Sequence, residues 1–176
     1  FPQHYKQGFH SSGTVGTFGA YVAAAKLLGL DGHKLCHGLG LTASFASGIR
    51  CNFGTMTKPL HVGRAAENGI TAALLAEQGY TADKNALDGP WGYFAVQGGG
   101  MSADKLAHQG FGDPWSIIDP GVSIKPYPCG VLTHPTIDLM LNLVIEHDIQ
   151  PDDIEHVVVS AGSNILNPIR YPIAGN

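Results

Sequence analysis

Residues 59–78 run PLHVGRAAENGITAALLAEQ, a helix carrying its own start and stop signals. Pro59 has no N–H to leave unsatisfied in a first turn, and its fixed φ suits that position. Gly79 follows as the stop. Leu60, Ala66, Ile70, Ala73, Leu74 and Leu75 recur with an approximate helical period, which predicts one buried apolar face. Two similar segments precede it. Residues 13–28, GTVGTFGAYVAAAKLL, have Ser11, Ser12 and Thr14 as N-cap candidates and Gly29 as a stop. Residues 32–47, GHKLCHGLGLTASFAS, follow the capping residue Asp31 and end at Gly48. Glycine inside a helix weakens it when isolated, yet small side chains let backbones approach closely. The expectation is a tightly packed helical bundle.

Beyond it the pattern loosens. Residues 83–113 hold short helical candidates broken by Gly89, the glycines at 98–100, Gly110 and Gly112, and the character changes at Asp113-Pro114 and Asp119-Pro120-Gly121. Residues 122–127 and 154–161 read as strands on either side of TIDLMLNLVIEH, an amphipathic helix opened by Pro135. That order suits an α+β segment begun but not finished. The final NPIRYPIAGN supplies no further element to cover such a sheet, so the sequence reads as cut short.

Composition sets the outer bounds. A length of 176 residues fits one domain or slightly more, and 44 % apolar against 14 % charged residues can build a core rather than a disordered chain. A net charge of −4 lacks the basic footprint of a general nucleic-acid binder. No apolar run approaches the roughly 18 residues of a membrane span, and the opening FPQHYKQGFH has no signal-peptide core. Cys36, Cys51 and Cys129 form no CxxC pair, which points to reduced thiols. A globular, cytoplasmic protein is expected.

Nine histidines raise the question of chemistry. His33 and His37 lie one helical turn apart with Cys36 between them, a pair of metal ligands in need of a third. A metal-dependent hydrolase built there would require stoichiometric metal. His108, His147 and His156 read as solvated or capping residues, with His147 near a helix C-terminus that favours positive charge. Three clusters carry more. Phe9-His10-Ser11-Ser12-Gly13 sets a histidine before a helix N-terminus, where free amides favour an anion. Phe53-Gly54-Thr55-Met56-Thr57-Lys58-Pro59-Leu60-His61 joins a lysine and a histidine at a second loop-to-helix junction. The third runs from Lys125 through Tyr127 and Cys129 to Thr133-His134-Pro135. Each alone is an ordinary Gly/Pro-rich turn. Converging on one cleft, Lys58, Lys125, His10, His61, His134 and Tyr127 would suit a small di- or tricarboxylate.

Three blocks, GFHSSGTVGTFGAYVAAAKLLGL (residues 8–30), GLTASFASGIRCNFGTMTKPLHVGRAAENGITAALLAEQGYT (40–81) and KPYPCGVLTHPTIDLML (125–141), resemble the MmgE/PrpD family. That family includes 2-methylcitrate dehydratase, iminodisuccinate epimerase and cis-aconitate decarboxylase. The resemblance implies a mainly α fold: an all-helical domain, here residues 1–118, followed by the start of an α+β lid, here 119–176. It further implies an active site in the cleft between them, a homodimer, and no metal or organic cofactor. By this likeness His10 is the proton-transfer residue, Lys58 and Lys125 bind carboxylates, and His61, Tyr127 and His134 contact substrate. The implied chemistry is proton transfer at a carbon next to a carboxylate, with lysines lowering the energy of the carbanion. Dehydration, epimerisation and decarboxylation all fit such a site.

Two departures qualify the likeness. Gly130 stands where many relatives carry a polar or basic residue. Family chains are also more than twice as long, and their N-terminal helical part brings an aspartate and a further histidine to the site. The alternative expectation is a non-catalytic relative, a ligand-binding or oligomerising module. Either way, apolar helix faces left uncovered predict an oligomer.

Overall fold

The computed structural model describes residues 2–102, 104 and 112–162. Its helices are α1 (Pro2–Lys6), α2 (Ser11–Leu27), α3 (Gly32–Phe45), α4 (Thr57–Glu77), α5 (Tyr93–Val96) and α6 (His134–His147). Short 3-10 turns occupy Arg50–Asn52, Val131–Thr133 and Pro151–Asp153. The chain divides into two compact units, Phe1–Gly110 and Phe111–Asn176.

In the first unit α2 and α4 make the principal contact, with α3 against both. The stops act as expected. Gly29 and Gly79 take positive φ just past α2 and α4. There Leu30 N donates to Ala25 O and Tyr80 N to Leu75 O, which satisfies carbonyls that a helix end leaves open. Asp31 caps α3 by accepting from Lys34 N at 2.9 Å. At the start of α2 the outcome differs. Ser11 already lies inside the helix, and His10 is the N-cap residue, with extended backbone angles and no side-chain cap bond. Its carbonyl accepts from Gly13 N and Thr14 N instead, so the imidazole is spared for other contacts.

The buried side of α4 is the second departure. Ala65, Gly69, Ala72, Ala73 and Ala76 are buried, while Leu60, Ile70 and Leu74 are 56 %, 50 % and 48 % exposed. The period was legible but the face is turned. The reason is proximity to α2: a Cβ placed on Gly69 would stand 2.6 Å from Tyr21 N and 2.7 Å from Thr17 O. Only small residues admit so close a backbone, and larger ones are displaced outward. Tyr21, fully buried, centres the core with Ala25, Leu41, Ala72 and Ala73. Its hydroxyl donates to Leu35 O at 2.9 Å, and burial pushes its pKa up to about 12. Gly38 lies directly against its ring, where a Cβ would overlap the phenol.

In the second unit α6 forms with Pro135 in its first turn, as the sequence predicts. The strands expected at 122–127 and 154–161 are absent; among the described residues no strand is formed. A strand is defined by its ladder, and two segments separated by a helix need sheet neighbours to hold a parallel arrangement. Residues 154–158 instead run beside α6, where Met140, Leu143, Ile154 and Val157 line a shallow groove. His147 and His156 are exposed. His108, Gly110 and the C-terminal NPIRYPIAGN lie outside the described residues. No helix among the described residues is long and apolar enough to cross a membrane.

Candidate functional site

The first unit brings three of the singled-out residues together. His10 enters from the segment before α2, pinned by two backbone bonds: His10 N donates to Gly48 O at 3.0 Å, and Arg50 N donates to Gly8 O at 2.8 Å. Lys58 and His61 stand three residues apart on the first turns of α4, hence on one face. The two rings meet Nδ1 to Nδ1 at 2.9 Å, although 51 residues separate them in sequence. Since both atoms are nitrogens, one must carry the hydrogen and the other must be bare.

Two glycines make this meeting feasible. A Cβ on Gly13 would lie 2.5 Å from Ser47 O and 3.3 Å from His61 Cβ, and one on Gly48 would lie 3.4 Å from the His61 ring. Aromatic and cationic groups close the rest. The Phe53 ring meets His10 edge-on at 4.9 Å between centroids. Lys58 Nζ stands 4.4 Å from the Phe53 centroid, and the Arg50 guanidinium carbon 5.7 Å from it. Arg50 also stacks over Tyr5 at 3.7 Å and donates from Nη1 to Tyr5 O at 2.9 Å. Its Nε is buried without a hydrogen-bond partner among the described residues.

His10 is 6 % exposed. Burial, then the neighbouring His61 and Lys58, hold its pKa below the ordinary imidazole value, so the ring favours the neutral form. A neutral imidazole next to a lysine can take a proton from a carbon acid whose carboxylate the lysine holds. Lys58 also makes an adjoining carboxylate electrostatically welcome.

Lys125, Tyr127 and His134 gather in the second unit. Lys125 Nζ donates to Cys129 O at 3.2 Å. Tyr127 donates its hydroxyl to Asp138 Oδ1, and the bond to that carboxylate raises the tyrosine pKa. His134 meets the Tyr127 ring edge-on at 5.3 Å. It is 7 % exposed, and its Nε2 has no hydrogen-bond partner among the described residues. Asp138 carried no chemical signal in the sequence beyond its place on a helix.

A polar network behind His10 was equally unheralded. His4, fully buried, contacts Gln97 O through Nδ1 and Thr14 Oγ1 through Nε2 at 2.8 Å. Thr14 in turn donates to His10 O at 3.3 Å. Only the tertiary fold unites positions 4, 14 and 97, and no local spacing could have announced them. The His33–His37 pair develops differently from a metal site. The rings meet edge-on at 4.6 Å, and His37 Nδ1 lies 3.1 Å from Ala82 N and 2.9 Å from Ala82 O. Among the described residues no group of three or more histidine, cysteine, aspartate or glutamate side chains is placed to hold a metal ion.

Comparison with known proteins agrees with these blocks. The model of the MmgE/PrpD N-terminal domain matches residues 1–105. Cis-aconitate decarboxylase of Homo sapiens is 34 % identical over 156 residues, covering 86 % of this chain and 32 % of that protein. The Mus musculus enzyme of that name is 32 % identical, with 86 % and 32 % covered. That of Aspergillus terreus is 31 % identical, with 77 % and 29 % covered. The chain thus spans about a third of the length of these relatives. With the family model matching well over half of its residues, the chain belongs to the MmgE/PrpD family.

Proposed function

We propose that this chain carries the carboxylate-binding and proton-transfer residues of a lyase or isomerase acting on a small di- or tricarboxylate, such as cis-aconitate or 2-methylcitrate. The observation that carries the reading is the His10–His61 contact at 2.9 Å beside Lys58. His10 moves the proton at the carbon next to a carboxylate, and a positioned base of this kind contributes about 10²–10⁴-fold. Lys58 holds that carboxylate and lowers the energy of the carbanion formed by proton loss or by departure of carbon dioxide. Lys125, with Tyr127 and His134, binds a further carboxylate, a role that rests on the resemblance of the KPYP block. In this reading residues 1–118 belong to the helical domain and 119–176 to the lid.

The test is a proton NMR time course in heavy water with cis-aconitate, 2-methylcitrate and citrate in turn. Loss of a carbon-bound proton signal, or growth of a vinyl signal, is expected for one of them. It should disappear in His10→Asn and in Lys58→Met. Turnover unchanged in both variants would refute the assignment.

A second reading, a self-associating module, is favoured by the outward apolar side chains Leu60, Ile70 and Leu74 of α4. That module is non-catalytic, so the two readings part on turnover: it binds a carboxylate or self-associates without converting anything. Three cysteines without a disulfide suit a cytoplasmic setting.

A further inference from the structure

We propose that His61 is a proton relay for His10 rather than a substrate ligand, the two rings passing one hydrogen between their Nδ1 atoms. The proposal rests on the reading of His10 as the proton carrier. Three features of the site lead to it. The contact joins like atoms at 2.9 Å, so the hydrogen between them can sit on either ring. His10 is buried, whereas His61 is only half-buried and therefore nearer to water. Finally, Lys58, one turn before His61 on α4 and close enough to act on His10, opposes two full charges on the two imidazoles. His4 approaches from the other side through Thr14 and the His10 carbonyl.

The proton balance closes at each step. In the starting form His10 carries its hydrogen on Nδ1 and His61 carries its own on Nε2. When His10 Nε2 takes a proton from the substrate carbon, the Nδ1 hydrogen of His10 passes to His61 Nδ1. The positive charge then resides on His61, which releases its Nε2 proton to water. Both rings end neutral, with the hydrogen bond between them reversed. Decarboxylation uses the reverse order: water protonates His61 Nε2, the hydrogen crosses to His10 Nδ1, and His10 Nε2 delivers a proton to the carbanion. A proton lost at the substrate carbon in this way reaches water without opening the site, and the reverse transfer returns both rings to the starting form.

The experiment has two arms. In the first, the chain labelled with ¹⁵N-histidine is titrated without ligand, following both rings by two-bond ¹H–¹⁵N correlation. Coupled rings take up protons in two separated macroscopic steps seen on both. His61→Phe should merge the His10 response into one step. Single-step, independent titration of His10 in the parent chain and in the variant would overturn the proposal.

The second arm measures deuterium exchange into cis-aconitate or 2-methylcitrate for His61→Asn. Asparagine can accept the His10 Nδ1 hydrogen bond but cannot pass a proton on. A relay predicts a loss of about 10²-fold or more, recovered by added imidazole in His61→Ala. Exchange at the parental rate in His61→Asn would reduce His61 to a positioning role and refute the relay. If His10→Asn exchanges normally while the titration remains coupled, the functional reading fails and the paired rings stand.

Discussion

Gly63 and Gly69 lie on the same helix, and the same substitution should move stability in opposite directions at the two. Around a Cβ on Gly63 no atom lies within 4 Å outside its own helix turn and chain neighbours. Replacing glycine by alanine in an open helix interior gains about 0.8–1.0 kcal/mol through lower backbone entropy in the unfolded chain. At Gly69 the identical gain meets a wall. The new Cβ would stand 2.6 Å from Ala20 Cβ, 2.6 Å from Tyr21 N and 2.7 Å from Thr17 O. Two of those three atoms are backbone of α2, so relief requires the helices to move apart rather than a side chain to turn. Overpacking of this kind costs about 1–3 kcal/mol, and the rigid neighbours place Gly69→Ala toward the upper part of that range.

The expected outcome is Gly63→Ala stabilised by nearly 1 kcal/mol and Gly69→Ala destabilised by about 1–2 kcal/mol net. Urea denaturation followed by far-UV circular dichroism resolves that gap. With a slope of about 1–3 kcal/mol per molar urea, a gap of about 2–3 kcal/mol separates the two midpoints by about 0.7 M or more. If both variants shift the midpoint in the same direction by similar amounts, then α2 and α4 are not held at the spacing argued here. The explanation of the turned helix face would fall with it.

Three further outcomes follow from the same geometry. Tyr21→Phe removes the bond to Leu35 O inside the core and should cost about 1 kcal/mol in the same urea assay; a neutral result would mean that the carbonyl is otherwise satisfied. Gly13→Ala drives a Cβ against Ser47 O and His61. It should uncouple the two histidine rings in ¹⁵N spectra, whereas Gly19→Ala, in open space, should leave them coupled. For His10 the folded pKa lies below the unfolded value of 6.5, so the unfolded chain binds more protons and stability increases with pH across that window. The contribution is complete above pH 6.5 and is lost as pH falls through the depressed value. The urea midpoint of His10→Asn should accordingly fall less between about pH 7 and about pH 5 than that of the parent chain.

Some of this fold is written locally and some is not. Gly29, Asp31 and Gly79 act where the sequence places them, because a cap or a left-handed glycine is decided within a few residues. The apolar period of α4 does not by itself say which side is buried: Ala73 and Leu75 pack inward, while the large Leu60, Ile70 and Leu74 stay about half exposed. Where backbones touch, alanine and glycine are the residues inside. The cap of α2 shows the same limit: Ser11, Ser12 and Thr14 are better cap formers than His10, yet the bridge to Gly48 fixes where the helix starts. The junctions that hold His10, Lys58 and His61 were legible as loop-to-helix turns with chemical side chains. Their mutual contact was not, since it depends on two glycines and the spacing of α2 from α4.

The outer side of α4 completes the account of that helix. Ala65, Gly69, Ala72, Ala73 and Ala76 face α2 and α3, while Leu60, Ile70 and Leu74 form a second apolar side about half exposed. A surface helix typically has one apolar stripe, and a second group of apolar side chains offers further protein a surface to cover. If a second copy covers that side, each of Ile70 and Leu74 loses its remaining exposure. That is about half of a full side-chain burial, or roughly 1 kcal/mol apiece. The double change Ile70→Glu with Leu74→Lys should then yield a monomer by light scattering where the parent chain is an oligomer. Both side chains are already half in water, so the urea midpoint extrapolated to low protein concentration should change little. A parent chain that is monomeric at micromolar concentration would refute self-association through this side. An oligomer that survives the double change would place the interface elsewhere on the molecule.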